Sequence, residues 1–167
     1  LVFSVGFLAY PIGALFFGYI GDGYGRRVAL SFSLLGMALS TFGIGFLPSY
    51  AVLGILSPLI LASFRLIQGI CAGGECMGGG VFVVESISSY NLGFFGSLIA
   101  ASGTFGALLA SIVSVFFVSS TMPPWAWRLP FLISIFIGIV GLYLRTTVEE
   151  SPSFKASFSK EKYNPLK

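Results

Sequence analysis

The sequence predicts an all-α membrane protein built from five transmembrane helices, and three observations carry that prediction. First, apolar residues make up 56% of the 167 and charged residues only 9%, with a mean hydropathy of +0.95. A soluble domain carries roughly 25% charged residues. Second, apolar stretches close to the ~20 residues needed to cross a bilayer recur at about 1–20, 28–47, 58–85, 94–118 and 128–145. Third, the segments between them are short and hold turn formers: Gly21 to Gly25, Pro48-Ser49, Ser86 to Gly93, and Ser119 to Pro124. Residues 1–147 therefore read as a transmembrane bundle and 148–167 as a polar tail or linker.

Within this frame the elements follow in order. The first span ends in the glycine-rich turn GYIGDGYGRR (18–27), which feeds the second span through Arg26 and Arg27. Ser57-Pro58 and Arg128-Leu129-Pro130 mark the starts of the third and fifth spans, because proline is tolerated in a helix's first turn. Arg26, Arg27, Arg145, Lys155, Lys160, Lys162 and Lys167 fall on one side of the membrane, and only Arg128 on the other. The excess of basic residues marks the cytoplasmic face, so the tail is expected inside and Leu1 outside. Trp125 and Trp127 suit the aromatic belt at the outer interface. An odd number of spans with an outside start, opening on Leu1 rather than Met, leads us to expect a fragment that lacks one preceding helix.

The composition excludes several functions. No basic patch lies outside the loops and tail, so nucleic acid is not an expected partner. The absence of histidine removes histidine catalysis and histidine proton relays. Cys71 and Cys76 have neither zinc nor redox spacing and read as small helix-interface residues. No metal-ligand cluster and no Ser or Cys with a plausible base is visible, so an enzyme is not expected. No ring of like charges suggests a channel.

The third span carries charge where charge is expensive. Arg65 lies about 10 Å into it, and Glu75 about 15 Å further along, at 1.5 Å per residue. An ionised group at a helix centre costs roughly 2.5–3.5 kcal/mol. The two are too far apart to neutralise each other, so each needs a partner on another helix, a water or a polar cavity. At 100° per residue, Arg65, Gln68 and Glu75 fall within a sector of about 80°, which should face the bundle interior. They read as a solute or proton pathway, against the plainer reading of a structural ion pair. Glu85 and Asp22, near the cytoplasmic boundary, read as helix-end or gate charges. Gly69 and Gly73, and Gly74 and Gly78, have GxxxG spacing and predict close helix packing. The fourth span repeats the theme with Gly96, Gly103 and Gly106, suggesting a small-residue helix beside the charged one.

These residues resemble the major facilitator superfamily of secondary transporters. GYIGDGYGRR is similar to its loop motif G-x-x-x-D-[RK]-x-G-R-[RK], with Gly18, Asp22, Gly25, Arg26 and Arg27 at the motif positions. RLIQG (65–69) resembles the R-x-x-Q-G signature of its fourth helix. RLIQGICAGGECMGGGVFVVE (65–85), WAWRLPF (125–131), GLYLR (141–145) and EESPSF (149–154) look like its metabolite:proton symporter branch, which includes proline/betaine, dicarboxylate, citrate and shikimate transporters. The resemblance implies twelve helices in two six-helix halves. This chain would then supply the second to sixth helices of the N-terminal bundle, with the first helix and the C-terminal half missing, in the same polypeptide or in a separate chain.

The resemblance further implies proton-coupled symport of a small organic solute, such as proline/betaine or a carboxylate, by alternating access. The setting is a bacterial inner membrane, with lipid around the bundle. The proton is the coupling ion and no other cofactor is implied. It assigns Gly18, Asp22, Gly25, Arg26, Arg27 and Glu85 to the cytoplasmic gate, and Arg65, Gln68 and Glu75 to the solute and proton. The absence of a Gly-Pro pair from the fourth span separates it from the drug:proton antiporters. Two departures stand out. Gly23 replaces a basic residue of the loop motif, and SISSYNLG (86–93) has Leu92 where a basic partner for Glu85 is usual. They leave open an alternative: a non-transporting truncated relic, or a half-transporter that needs a partner subunit.

Overall fold

The computed structural model describes residues 2–87, 91–119 and 121–150, with α helices throughout and no strand among them. The elements are α1 (Val2–Leu8), α2 (Tyr10–Tyr24), α3 (Arg26–Gly45), α4 (Tyr50–Leu53), α5 (Leu56–Ser86), α6 (Leu92–Val118) and α7 (Leu129–Thr147). A 3-10 turn, Ala126–Arg128, leads into α7. Helices long and apolar enough to cross a membrane cover Arg26–Gly45, Leu56–Ser86, Leu92–Val118 and Ala126–Thr147, matching four of the five expected spans. The tail beyond residue 150, with Lys155, Lys160, Lys162 and Lys167, lies outside the described residues.

The first expected span is broken in two. Pro11 has no N–H to give the carbonyl four residues earlier, and its ring crowds that carbonyl. The helix therefore breaks at Ala9, whose N–H turns to the Gly6 carbonyl at 3.2 Å, while Gly13 N–H picks up the Ala9 carbonyl at 3.0 Å. At the other end, the expected turn over 21–25 is helical as far as Tyr24. The connection shrinks to Gly25, whose φ of 107° and ψ of 145° reverse the chain directly into α3. A side chain there would be strained, which is the physical reason for glycine.

α5 is the hub. It packs against α1, α2 and α3, and α3 packs in turn against α7. Without a hydrophobic driving force between helices in lipid, close approach of backbones has to hold such a bundle together. Most of the buried side chains are accordingly small, among them Ala9, Ala29, Ala38, Ser33, Ser40 and Cys71, with Phe17, Leu30 and Ile44 as the large ones. A Cβ on Gly69 would overlap the Gly6 carbonyl, one on Gly73 the Tyr10 carbonyl, and one on Gly13 the Ile70 carbonyl. Gly74 lies against the Phe17 ring, and a Cβ on Gly78 would stand 3.0 Å from Leu30. All four glycines of the two GxxxG pairs are thus contact points, and their partners are α1, α2 and α3.

α6 lies beside α5, with Gly103 bordering the cavity at Glu75, but its glycines are not close packing points. α6 touches α5 and α7 lightly and has no buried residue, and nothing lies within 4 Å of a Cβ on Gly96, Gly103 or Gly106. An apolar helix that packs on so little protein is suited to a lipid surround.

Candidate functional site

Two charged centres lie inside the bundle, and each sits in its own cavity. The first is built around Arg65 on α5. One guanidinium N–H donates to the side-chain carbonyl of Gln68 at 3.1 Å, one turn along the same helix. The Gln68 amide donates to the Thr41 hydroxyl of α3 at 2.7 Å, and that hydroxyl donates to the Met37 carbonyl at 2.7 Å. This directional chain lines a cavity of about 340 Å³ that also meets Phe7, Tyr10 and Phe131. The rings of Phe7 and Tyr10 are stacked, with centroids 5.7 Å apart and planes 17° from parallel.

The second centre is Glu75. One carboxylate oxygen accepts from Arg145 of α7, and the other from the Ser33 hydroxyl of α3 at 3.0 Å. Arg145 also donates to the Leu30 carbonyl. Three helices therefore meet on one ion pair, whose side chains are 23% and 30% exposed. The pair borders a cavity of about 440 Å³ reaching Cys76, Phe82 and Ser102. Leu30 is only one turn from the start of α3, so the pair sits nearer the loop-motif end than the middle of the bundle.

The structure keeps Arg65 with Gln68 and separates both from Glu75. The shared sector on α5 places all three toward the interior, but a helix face 15 Å long spans two cavities. The expectation that Arg65 and Glu75 need separate partners holds. Arg145, Ser33 and Thr41 were not singled out by the sequence. Ser33 and Thr41 could have been noticed as polar residues inside an apolar span. Arg145 was counted only as a cytoplasmic topology charge, although it falls on the last residue of its expected span.

At the end of the bundle where α2 meets α3 the loop motif forms a charge cluster. Arg26 bonds Asp22 at 2.8 Å, one helical turn back across the α2–α3 corner, and reaches Glu85 at the end of α5 at 3.4 Å. Glu85 is not left without a cation by the change at Leu92: Arg26 takes one oxygen. Its Oε2 is buried with no hydrogen-bond partner among the described residues. The backbone N–H of Arg27, in the first turn of α3, donates to both carboxylate oxygens of Glu150 at 3.2 Å. The Arg27 guanidinium donates to the Thr146 carbonyl at 2.6 Å. A carboxylate against the positive end of α3 is the favourable sense of the helix dipole. Gly21 makes room for the Arg26 side chain, which would stand 3.1 Å from a Cβ there, whereas Gly18 faces open space.

Membrane-length helices closing on intramembrane charges, with a charge cluster at one end, define a polytopic membrane protein. The chain belongs to the sugar (and other) transporter family, whose pattern it matches over residues 1–164. It is 41% identical over 162 residues to the proline/betaine transporter of Salmonella typhimurium, covering 95% of this chain and 32% of that protein. It is 39% identical over 166 residues to the glycine betaine/proline/ectoine/pipecolic acid transporter OusA of Dickeya dadantii, covering 97% and 33%. The fold matches the xylose transporter XylE from E. coli in a partially occluded inward-open conformation, with a TM-score of 0.81 at 23% identity, covering 95% of this chain and 39% of that one. It also matches the major facilitator superfamily proton:xylose symporter XylE bound to 6-bromo-6-deoxy-D-glucose, with a TM-score of 0.82 at 23% identity, covering 95% and 36%. The chain spans about a third of the length of the relatives it matches.

Proposed function

We propose that this chain is part of a proton-coupled symporter that moves a small organic solute, such as proline, betaine or a carboxylate, across a bacterial inner membrane by alternating access. The observation that carries the reading is the Glu75–Arg145 pair joining α3, α5 and α7. A proton on Glu75 removes one charge of the pair and leaves Arg145 to its second acceptor, the Leu30 carbonyl. The contact between α5 and α7 then weakens, and the arrangement with the pair intact is no longer favoured. A coupling ion acts in this way, by binding one arrangement better than the other.

In this reading the Arg65–Gln68 wall meets the solute, and the cluster of Asp22, Arg26, Arg27, Glu85 and Glu150 holds the cytoplasmic end shut. The proton is the only coupling ion, the surroundings are lipid, and the tail lies in the cytoplasm. The remaining two thirds of the relatives' length supplies the facing half. The exposed α6 supports a second reading, a half that works only with a complementary chain. Co-purification of such a chain would favour it.

The test is uptake by the full-length protein in vesicles with an imposed pH gradient. Glu75→Gln should abolish gradient-driven accumulation and leave solute exchange intact. Unchanged accumulation removes Glu75 from coupling, and uptake indifferent to the gradient in the unaltered protein rejects symport.

A further inference from the structure

The hydroxyls of Ser31, Ser33, Ser40 and Thr41 on α3 each donate to a carbonyl of their own helix. Serine and threonine inside a helix often bond back in this way. Thr41 differs in what meets its other side. A hydroxyl has one proton and two lone pairs. The Thr41 proton goes to the Met37 carbonyl at 2.7 Å, one turn back, so toward α5 the oxygen is left to accept. Its partner there has to be a donor, and the Gln68 amide N–H fills that place at 2.7 Å. Ser33 meets the opposite kind of partner, the Glu75 carboxylate, to which its hydroxyl donates.

A side-chain amide has a donor end and an acceptor end, so fixing one fixes the other. With its N–H held on Thr41, Gln68 turns its carbonyl to Arg65 and accepts a guanidinium N–H at 3.1 Å. Reversed, the amide would set N–H against N–H and lose this charge-assisted bond. The guanidinium is planar and its donors form a rigid fork, so one fixed N–H sets the plane of the others. Thr41 thereby carries the geometry of α3 to a charge on α5, through a residue 27 positions along the chain.

We propose that Thr41 is the positioning residue of the Arg65 cavity: by holding the Gln68 amide in one orientation, it sets the direction in which the guanidinium presents its N–H groups to the solute. Only the last step rests on the transport reading above, since the orientation of Arg65 belongs to the protein with no solute bound. The essential feature is an oxygen whose own proton is already committed. Serine supplies it and valine, of nearly the same shape, does not. Thr41 also borders the cavity, so direct contact with the solute is the rival explanation.

The test has two parts, both on the purified full-length protein. The first is nitrogen magnetic resonance of the guanidinium groups, with Arg65 assigned by the signal lost in Arg65→Lys. The two terminal nitrogens of Arg65 should be resolved in the unaltered protein, merge in Thr41→Val, and be resolved again in Thr41→Ser. Ser40→Ala, which removes a neighbouring hydroxyl bonded to Gly36 of the same helix, should leave them resolved. Resolved signals in Thr41→Val, merging in Ser40→Ala, or no rescue by serine overturns the proposal.

The second part is uptake of radiolabelled proline by proteoliposomes under a pH gradient. Thr41→Val should raise KM about tenfold and hold the maximal rate within about twofold. In a Gln68→Leu background the same change should add nothing, because the path to Arg65 is already cut. A further rise there shows Thr41 meeting the solute itself and overturns the proposal. A merged Arg65 signal with an unchanged KM overturns the assignment of Arg65 to the solute, while the positioning role stands. Absence of proline uptake in the unaltered protein counts against the transport reading alone, and the resonance then decides the proposal.

Discussion

Arg145, near the C-terminal end of α7, donates to Glu75 of α5 seventy positions earlier in the chain. The contact ties the last helix of the bundle to its hub, with Ser33 of α3 as a third member. Each charge is costly in the membrane alone, so removing one should hurt more than removing both. Arg145→Ala or Glu75→Ala should each lower stability by about 1–3 kcal/mol, less than for a fully buried pair because both side chains are partly exposed. The double variant should be more stable than the sum of the singles predicts, as read by thermal unfolding in detergent. Additive losses would mean that the pair is not coupled.

The two sides of the Arg26 cluster should respond unequally. Asp22 is 69% exposed and Glu85 only 21%. Asp22→Asn should change stability by less than about 1 kcal/mol, as for other exposed ion pairs. Arg26→Ala strands Glu85, one of whose oxygens already has no partner, and should cost about 1–3 kcal/mol. The same unfolding assay checks the order, and equal losses would show that Glu85 does not depend on Arg26.

The α5 seam makes a position-specific prediction. Gly69→Ala and Gly73→Ala place a methyl group on a backbone carbonyl of α1 or α2, which cannot move aside as a side chain can. Each should cost about 1–3 kcal/mol. Gly79→Ala, with nothing within 4 Å, should be neutral or stabilising by up to about 1 kcal/mol. Parallel effects at all three sites would deny the seam.

Gly25 is tested on its own. At φ 107° it stands where an L side chain is strained, so Gly25→Ala should cost about 1–3 kcal/mol. The loss should not be rescued by enlarging the surrounding space, for instance with Arg26→Ala. Rescue would make the requirement one of volume rather than backbone.

Sequence alone settled the class of structure, because hydrocarbon demands long apolar helices and leaves only turn residues and charges to vary. It placed four spans within about two residues, and it singled out Arg65, Gln68, Glu75 and the loop motif as candidates by the cost of charge in lipid and by motif spacing. The glycine pairs of α5 were legible for the same reason, since small residues at four-residue spacing have few other uses. The identity of their neighbours was not: a helical period gives a face but not the helix that covers it, and here α1, α2 and α3 cover it. Only the tertiary structure decided that Arg145 belongs to Glu75, that Glu150 caps α3 through Arg27, and that Arg65 and Glu75 serve different cavities. The two pairings join residues 70 and 123 positions apart, between groups set by the crossing of whole helices. Local pattern fixes each helix and its depth, while the partner of a buried charge depends on which helices the backbone lets approach.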